Sequence, residues 1–431
     1  MRLFSDLSSR GLVHQVSDAD LDARLAALAA SGRISAYAGF DPTSDSLHVG
    51  NFVAILGLIY AQRNGIAPIA IVGGATGLIG DPSGKTTERQ LLDRQTVAAN
   101  VAGIRRVLEK FLDFAHPTAP AVIVNNLDWF GPMSAIDFLR DVGRHFRVGT
   151  MLAKDSVRTR MESSQEGISY TEFSYQILQA YDFYRLYKDH NCVLQMGGSD
   201  QWGNITAGID LIRKLEGEGG NAFGLTMPLI TTSSGAKFGK SEGNAVWLSA
   251  ERTSPFDFYQ FWLRTEDADA GRYLKYFTFL PLAEIEQIVT EHQKCPEKRI
   301  AQRRLAEEVT RMVHGPDAVR QAVAASTMLY GGEVGELNAA AIDALAAQGV
   351  GCIVVPRSRL EAGMSLVDAC VESGLARTRS EARRLISQGG LYVNNRQITD
   401  LECRLTPQHL VAGVAVVLRS GKKNYRLVRA S

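Results

Sequence analysis

Two polar side chains three residues apart, His48 and Asn51, stand just before a long apolar run. The run 52–60 is too continuously apolar for a strand with one wet face, and Asn-Gly at 64–65 closes it, so we predict a largely buried helix. Residues three apart lie on one side of a first helical turn. Unpaired backbone N–H groups and the helix dipole favour an anion there, most often a phosphate. Gly50 would also let a flat base approach the backbone. Taken alone, the pattern favours an ordinary capped helix with a surface histidine.

The elements around this helix start alternate between strand and helix. Apolar runs predict strands at 37–40, 68–72, 121–124 and 193–195, and apolar stripes predict helices between them, including 18–31, 97–111, 134–146 and 169–186. This alternation predicts an α/β fold with a parallel sheet. Ligands of such sheets bind beyond the carboxyl ends of the strands. We therefore expect the chemistry in the loops 39–50 and 73–85.

The glycine-rich loop after the second predicted strand ends in Gly-Lys-Thr and invites comparison with a P-loop. A P-loop has four residues between its glycines, whereas this loop has three, and Ile79 stands where the first glycine belongs. The spacing therefore argues against a P-loop nucleoside triphosphatase. What remains is a loop with one acid, Asp81, and two cations, Lys85 and Arg89.

The predicted helix 169–186 carries polar side chains on one face. Tyr175, Gln179 and Asp182 recur at i, i+4 and i+7, and they offer hydrogen bonds of both polarities. Such a row would suit a zwitterion at one end and a hydroxyl at the other, although a solvated face is the alternative. After the next strand, Asp200 and Gln201 follow a glycine turn, where they can bind hydroxyl groups such as those of a ribose.

Two cationic segments lie further along the chain. Lys237 and Lys240 flank Phe-Gly in a Gly/Ser-rich loop, and lysine is a point charge that can follow a phosphate as it moves. Residues 356–431 hold 13 Lys and Arg against 6 Asp and Glu, a net charge of +7, while the remainder holds 34 against 40, a net of −6. A basic tail on an acidic body suggests a polyanionic partner, and the arginines of a predicted helix after 377, capped by Ser380, suit RNA. A solvated basic surface is the alternative.

Composition excludes several classes of protein. At 431 residues the chain should hold two or three domains, and its 45% hydrophobic and 22% charged residues are ordinary for a globular protein. No apolar run approaches the ~18 residues of a membrane span, so we expect no membrane association. The five cysteines are scattered without a Cys-x-x-Cys pair, which favours a reducing, cytoplasmic location and argues against a zinc or disulfide framework.

Several long motifs together resemble one family. Residues 37–51 resemble the first signature of class I aminoacyl-tRNA synthetases, and Lys-Phe-Gly-Lys-Ser at 237–241 resembles the second. Gly-Phe-Asp-Pro-Thr, Thr-Glu-Phe-Ser-Tyr and Gly-Gly-Ser-Asp-Gln-Trp-Gly-Asn are similar to runs in the bacterial tyrosine-specific members of that family, and the likeness extends from about residue 3 to the end. Residues 365–428 resemble its S4-type RNA-binding domain.

The resemblance implies three domains, a linker and a two-step reaction. It implies a Rossmann-type catalytic domain over 1–250, an all-helical domain on the anticodon side over 251–330, a linker over 331–355 and a small α+β S4-like domain over 356–431. The reaction joins L-tyrosine to ATP as tyrosyl-adenylate with release of pyrophosphate, then transfers tyrosine to the 3′-terminal adenosine of tRNA-Tyr. ATP is a substrate accompanied by Mg²⁺, and no tightly bound cofactor or resident metal is expected. The partners implied are tRNA-Tyr, a second copy of the chain through residues 129–161, and no DNA.

The same resemblance assigns residue roles. Tyr37 and Asp182 would bind the phenolic hydroxyl of tyrosine. The remaining tyrosine contacts would come from Asp81, Tyr175 and Gln179 at the ammonium group and from Gln201 near the carboxyl group. The nucleotide would face Asp41, Gly50, Gly198, Asp200 and Lys240. The phosphates and pyrophosphate would be held by Thr43, His48, Asn51, Lys85, Arg89, Lys237, Lys240 and Ser241. RNA would contact Arg377, Arg379, Arg383, Arg384, Lys422 and Lys423.

Two departures from the family pattern, and three rival functions, accompany this interpretation. The first signature usually ends in His, where this chain has Asn51, and Ala38 stands where a side chain that touches the ribose is common. We expect an active enzyme with modestly altered nucleotide binding.

The rival functions are those of a tryptophanyl-tRNA synthetase-like enzyme, a P-loop enzyme and a non-enzymatic RNA-binding protein. The polar pair Tyr37 and Asp182 disfavours the first, and the two signatures disfavour the last.

Overall fold

The fold is described from a computed structural model of the chain. It describes residues 1–83, 91–154, 157–158, 160–161, 167–235, 238–241, 244–328, 337–347, 350–421 and 424–431. The chain divides into two compact units, the first formed by residues 1–252 and 266–301 and the second by residues 253–265 and 302–431. Among the described residues, no helix combines the length and apolarity needed to cross a bilayer.

A twisted six-stranded sheet forms the centre of the first unit. Its strands are β1 (Gln15–Val16), β2 (Ser35–Phe40), β3 (Ala67–Val72), β4 (Val122–Asn125), β5 (Cys192–Gly198) and β6 (Phe223–Met227). Their spatial order is β1-β6-β5-β2-β3-β4, and all neighbours are parallel except the edge strand β1. β2 pairs with β3 and β5 along both edges, and helices cover both faces of the sheet, so β2 is buried and its sequence is apolar. The predicted parallel α/β sheet is confirmed.

Helices cover both faces of this sheet. Tyr37, Ile69 and Phe183 belong to one cluster, so the helices Tyr170–His190 and Trp202–Glu216 pack on the face to which Tyr37 points. The helix Phe52–Arg63 packs on the other face, where Gly57 approaches the side chains of Met196 and Met227. The first unit also contains the helices Leu3–Ser9, Leu21–Ala30, Arg94–Leu108, Leu127–Phe130, Ala135–Asp137, Val148–Leu152, Asp267–Phe277 and Leu282–Lys294, with the short strands β7 (Lys240–Ser241) and β8 (Asn244–Ala245).

The second unit joins a group of helices to a small mixed domain. The helices are Pro255–Leu263, Ile300–His314, Pro316–Met328 and Ala339–Ala347. The mixed domain holds the helices Arg357–Glu361, Leu366–Glu372 and Arg379–Ser387, and the strands β9 (Gly351–Val355), β10 (Met364–Ser365), β11 (Leu391–Val393), β12 (Arg396–Ile398), β13 (Arg404–Leu405), β14 (Ala415–Ser420) and β15 (Asn424–Ala430). Five of these strands form a sheet in the order β12-β11-β14-β15-β9.

The expected regular helix over 134–146 is wrong in part. The segment is helical only in short pieces, with one α-helical turn at Ala135–Asp137, a wide π-type turn at Phe138–Val142 and a tight turn at Gly143–His145. Its predicted stripe is split, because Val142 is buried while Ile136 and Leu139 are 70% and 49% exposed. Periodicity identified the apolar positions, but it cannot tell whether the chain's own core covers them.

Two expectations about the C-terminal region also need correction. Residues 351–355, placed in the linker by the sequence, form β9, which pairs in parallel with β15 from Arg426↔Gly351 onward. The β-branched run Ile-Val-Val that favours a strand was present there but lay next to an alanine-rich run. The basic helix is capped by Thr378 and not by Ser380, since the Thr378 side chain accepts a hydrogen bond from the backbone of Glu381.

Candidate active site

The carboxyl ends of the parallel strands bring together residues from five distant segments. Asp41 follows β2, the loop from Gly73 follows β3, Asn126 follows β4, and Asp200 follows β5. The helix Tyr170–His190 adds polar side chains from the face that packs against the sheet. A parallel sheet with these crossovers places all such loops along one edge, which is where ligands of doubly wound folds bind.

Tyr37 and Asp182 are buried together, at 1% and 3% exposure. The Tyr37 hydroxyl has no hydrogen-bond partner among the described residues. Burial raises the pKa of Tyr37 well above its ordinary value, and the carboxylate of Asp182 raises it further, so the two groups interact electrostatically. An unpaired buried hydroxyl costs about 1–3 kcal/mol. A ligand that supplies a partner here recovers that cost.

Asp182 is held by two donors that the sequence reasoning missed as site residues. The side-chain amide of Asn126 donates to one carboxylate oxygen at 3.0 Å, and the indole N–H of Trp129 donates to the other at 2.9 Å. Burial nevertheless raises the pKa of Asp182 to about 8, because desolvation outweighs both hydrogen bonds. The available signal for Asn126 was its place directly after a strand, at the sheet's ligand edge.

A second hydrogen-bond network reaches from this pocket to Asp41. Asn126 also donates to the Thr76 hydroxyl at 3.0 Å, and Thr76 donates to Asp41 Oδ1 at 2.8 Å. The Tyr175 hydroxyl donates to Asp41 Oδ2 at 2.7 Å. Because its hydrogen is directed to Asp41, Tyr175 presents its oxygen lone pairs as acceptors toward a cationic ligand group.

A cluster of amides surrounds Asp81, which is 8% exposed. Gln201 donates from Nε2 to Asp81 Oδ2 at 2.7 Å and accepts from Gln179 at 3.2 Å. Asn204, a further residue that the sequence reasoning did not select, donates to Gln179 Oε1 at 2.9 Å. The hydrogen bond between Gln179 and Gln201 restrains both side chains, and Gln201 in turn orients the Asp81 carboxylate, which can accept an ammonium group.

The predicted helix start is confirmed. The helix begins at Phe52 with Asn51 at its N-cap, and Asn51 Oδ1 accepts from the backbone of His48 at 3.2 Å, which directs Nδ2 away as a donor. His48 Nδ1 accepts from the backbone of Gly50 at 3.0 Å, so the neutral imidazole carries its proton on Nε2. A side chain at Gly50 would collide with the His48 ring at 2.8 Å. This end of the helix therefore presents donors only.

Some of the remaining residues predicted to bind the nucleotide are described by the structure, and others are not. Thr43 is exposed on the turn after Asp41, and its backbone N–H donates to the Asp41 carbonyl at 2.8 Å. Gly198 ends β5, where an added Cβ would meet Asp200 Oδ1 at 2.7 Å. Lys85, Arg89 and Lys237 lie outside the described residues, and Lys240 and Ser241 are described only as backbone in β7.

Comparison with known proteins decides the family. The profile for "tRNA synthetases class I (W and Y)" matches residues 29–331, and the profile for "Tyrosine--tRNA ligase SYY-like C-terminal domain" matches residues 349–428. The tyrosine–tRNA ligase of Bacillus caldotenax is 51% identical over 430 residues, covering 100% of both chains. The chain belongs to the tyrosine–tRNA ligase family of class I aminoacyl-tRNA synthetases. Tyrosine–tRNA ligase 1 of Bacillus subtilis is also 51% identical, with 99% of each chain covered.

A solved structure agrees with this membership. The C-terminally truncated mitochondrial tyrosyl-tRNA synthetase of Aspergillus nidulans is 34% identical, with a TM-score of 0.66, and the match covers 76% of this chain and 94% of that one. The recognition made from the sequence motifs, its fold class and its assignment to the enzymes of this family are confirmed. The alternatives of a tryptophanyl-tRNA synthetase-like enzyme and of a non-enzymatic RNA-binding protein are not favoured.

In this family member the predicted RNA-contacting arginines lie on one short segment. Arg377, Arg379, Arg383 and Arg384 are all exposed, on or beside the helix Arg379–Ser387. Arg379 also pairs with Asp368 at 2.8 Å. Lys422 and Lys423 lie outside the described residues. The exposed side chains are therefore accessible to a polyanion.

Proposed function

We propose that the enzyme joins L-tyrosine to tRNA-Tyr in two steps. In the first, the carboxylate oxygen of tyrosine bonds to the α-phosphorus of ATP, and the bond to pyrophosphate breaks. In the second, the 3′-terminal ribose hydroxyl of the tRNA bonds to the tyrosyl carbonyl carbon and AMP leaves. The observation that carries the choice of tyrosine is the buried hydroxyl of Tyr37, which lies beside Asp182 and has no partner among the described residues. A phenol supplies an acceptor to Tyr37 and a donor to Asp182, and an indole or a phenyl ring does not.

The ammonium group of tyrosine would lie against Asp81, Tyr175 and Gln179. Asp81 provides the charge, and Tyr175 provides an oxygen whose hydrogen is already engaged by Asp41 at 2.7 Å. Gln201 donates to Asp81 and faces the carboxyl end of the substrate. Binding both ends of the amino acid sets the carboxylate in line for attack, which is a positional contribution to the rate.

The ATP phosphates would lie at the start of the helix Phe52–Arg63. Thr43, His48 Nε2 and Asn51 Nδ2 supply donors there, and Asp41, Gly50, Gly198 and Asp200 would face the nucleoside. The cations Lys85, Arg89, Lys237 and Lys240, with Ser241, would neutralise the charge that develops on pyrophosphate, together with Mg²⁺ bound to ATP. No protein nucleophile is required, so the rate would come from binding the pentacoordinate phosphorus more tightly than the substrates.

The assembly we propose is a cytoplasmic homodimer that binds one RNA through both subunits and binds neither DNA nor a membrane. Apolar side chains are exposed across residues 129–161, where we place the dimer contact: Ile136, Leu139, Val148, Leu152 and Met161. All five cysteines are free thiols, which suits a reducing compartment. Ile136→Glu should yield monomers in sedimentation velocity. If the variant remains a dimer, the dimer contact does not depend on Ile136 and our placement of it is wrong.

Charging of tRNA with labelled amino acids tests the proposed reaction. With ATP present, we expect tyrosine to become attached to tRNA-Tyr and tryptophan and phenylalanine not to. Charging with tryptophan would instead place the enzyme in the other branch of the matched family, and binding of tRNA without any charging would support a non-enzymatic RNA-binding role.

A further inference from the structure

The segment that carries the two lysines of the second signature is bonded to one helix. We call residues 231–241 the lysine loop. The Thr231 carbonyl accepts from Arg272 at 2.7 Å and from the Tyr273 hydroxyl at 3.1 Å. The backbone N–H of Ser233 donates to Asp269 Oδ2 at 2.9 Å. All three partners lie on the helix Asp267–Phe277, which belongs to the same compact unit.

An aromatic column connects this loop with the first signature. The Phe238 ring, between the two lysines, stacks on Phe277 with ring centres 5.3 Å apart, and it meets Tyr273 edge-on at 4.9 Å. Phe277 stacks in turn on Phe52, with centres 6.1 Å apart and planes within 8°. Phe52 is the residue after Asn51, at the helix start where we place the phosphates. Phe277 thus contacts both signature segments and is fully buried.

The backbones of the two signatures also meet directly. A Cβ added to Gly239 would lie 2.9 Å from the Val49 side chain and 3.4 Å from the Gly50 nitrogen. Gly239 has φ +90, which favours glycine independently of space. The Val246 backbone bridges the two, donating to Gly239 at 2.9 Å and accepting from Val49 at 2.9 Å. The loop is therefore fixed against the first signature at its end and against the helix Asp267–Phe277 at its beginning.

The anchoring groups are buried well enough to hold a defined geometry. Asp269 and Tyr273 are each 2% exposed, and Asp269 receives both the Ser233 amide and the Arg272 guanidinium. A buried carboxylate with two donors holds its position, and removing it leaves those donors unsatisfied. Burial raises the pKa of Tyr273 to about 12, so its hydroxyl remains a donor to Thr231 across the physiological range.

We propose that Asp269, Arg272, Tyr273 and Phe277 are positioning residues for the lysine loop. They hold the described parts of the loop, residues 231–235 and 238–241, in place relative to the helix start at Asn51, without touching the substrates. The inference rests on the proposed role of these lysines at the pyrophosphate group. Since a misplacement of one ångström in a catalytic group lowers rates strongly, this helix controls the activation step from outside the pocket.

Asp269→Ala in the full-length enzyme tests the inference with two independent readouts. We expect kcat for tyrosine-dependent ATP–pyrophosphate exchange to fall at least about tenfold with the KM for tyrosine unchanged, because the loop and not the tyrosine pocket is displaced. We also expect trypsin to cleave after Lys237 or Lys240 several-fold faster, as followed by mass spectrometry. Asp269→Asn keeps an acceptor for Ser233 and should restore both readouts in part.

Asp267→Ala is the matched control, because Asp267 lies on the same helix but pairs with His292 at 3.1 Å. If Asp269→Ala and Asp267→Ala have the same kcat for exchange and the same rate of trypsin cleavage, the inference is overturned. The cleavage readout stands even if the unchanged enzyme activates no amino acid, so failure of the proposed function is recognised separately. If Asp269→Ala does not fold, Tyr273→Phe keeps the ring contact and loses only the bond to Thr231, with Tyr276→Phe as its control. Cleavage and kcat identical in that pair would refute the anchoring.

Discussion

At the scale of single residues, the tyrosine pocket is defined by polar groups that are expensive to bury. Tyr37 has a buried hydroxyl with no partner among the described residues, and Asp182 keeps a carboxyl group at 3% exposure. Proteins rarely retain such groups in a core without a functional reason. A substrate phenol would pair with the Tyr37 hydroxyl and add a hydrogen bond to Asp182, whereas phenylalanine would leave the Tyr37 hydroxyl without that partner.

Tyr37→Phe should weaken the preference for tyrosine. The variant keeps the ring, which lies 5.3 Å from Phe183, and loses only the hydroxyl. We expect the ratio of kcat/KM for tyrosine over phenylalanine in pyrophosphate exchange to fall about ten- to a hundredfold, since one hydrogen bond in a buried site is worth about 1–3 kcal/mol. Tyr60→Phe, a buried hydroxyl on the opposite face of the sheet, is the control. An unchanged ratio of the two kcat/KM values would show that the Tyr37 hydroxyl does not bind the substrate.

Asp182→Asn should change how stability depends on pH. Burial raises the pKa of Asp182 to about 8, so the protonated carboxyl stabilises the folded state. That stabilisation is complete below the unfolded-state pKa of about 4 and is lost as the pH rises through about 8, at about 1.4 kcal/mol per pKa unit. The Tm of the variant relative to the unchanged enzyme should therefore rise between pH 6 and pH 9.

In the Asp182→Asn variant the new side-chain amide faces the N–H donors of Asn126 and Trp129, which destabilises the fold by the same amount at every pH. This cost therefore does not change how the Tm difference depends on pH. Asp210→Asn, whose side chain is 50% exposed, is the control and should show no such trend. If the Tm of Asp182→Asn runs parallel to that of the unchanged enzyme across this range, the carboxyl group is not held with a raised pKa.

Residue-level prediction from sequence had a clear limit in this pocket. Tyr37, Asp81, Tyr175, Gln179, Asp182 and Gln201 were selected from the sequence, and the structure buries Tyr37 beside Asp182 and joins Asp81, Gln179 and Gln201 in one hydrogen-bond network. Asn126 and Thr76 were missed because an Asn after a strand and a Thr in a glycine loop are common in any loop. Their importance arises only from contacts with Asp182 and Asp41, which depend on the folded arrangement.

At the scale of elements, the start of the helix Phe52–Arg63 is where we propose that the ATP phosphates bind. Asn51 occupies the N-cap yet makes no side-chain cap to its own helix, and its carbonyl oxygen faces the His48 backbone. Its Nδ2 is therefore presented outward, at the positive end of the helix dipole. A side chain that contributes little to its own helix is well suited to a ligand.

Asn51→Ala and Asn51→His separate these roles. Alanine loses the hydrogen bond from the His48 backbone and should cost about 1 kcal/mol of stability. It should lower kcat/KM for ATP in pyrophosphate exchange at least about tenfold, because a donor to charged phosphate is worth about 1.5–3 kcal/mol. Histidine should remain close to the unchanged enzyme, since it also offers a donor. Should alanine behave like asparagine in ATP titrations of exchange, the phosphate role of Asn51 is refuted.

Secondary-structure elements were predictable where the apolar pattern alone indicated them, and were not where their structure depended on contacts with distant parts of the chain. The continuous apolar run made the helix Phe52–Arg63 evident, and the alternation of elements made the parallel sheet evident. The segment 134–146 failed as a regular helix because its apolar stripe faces outward at Ile136 and inward at Val142. The strand Gly351–Val355 was missed because its partner, β15, lies more than 70 residues away in sequence.

At the scale of the whole molecule, the basic C-terminal domain should serve RNA and not amino-acid activation. Because β9 belongs to the C-terminal sheet, removing residues 356–431 would leave that strand without β15, so residues 349–431 form the better deletion. The shortened enzyme should retain pyrophosphate exchange and lose most tRNA charging at physiological salt. Charging that survives intact would disprove an RNA role for this domain.

Point variants test the same role without a deletion. Replacing Arg377, Arg379, Arg383 and Arg384 by Gln should raise the KM for tRNA and weaken its dependence on salt, because fewer phosphate contacts release fewer counterions. Arg357 and Arg404, two exposed arginines of the same domain, provide a control pair when changed to Gln. Equal salt dependence in the two sets would show that the four arginines are an ordinary solvated surface.

Amino-acid-dependent ATP–pyrophosphate exchange, measured with each of the twenty amino acids in turn, tests the central claim most directly. It requires neither tRNA nor the C-terminal domain, so it reports only on the pocket at Tyr37 and Asp182 and on the phosphate site at Asn51. We predict exchange with tyrosine and none with phenylalanine or tryptophan at matched concentrations. Exchange supported by tryptophan, or by no amino acid at all, would contradict the account.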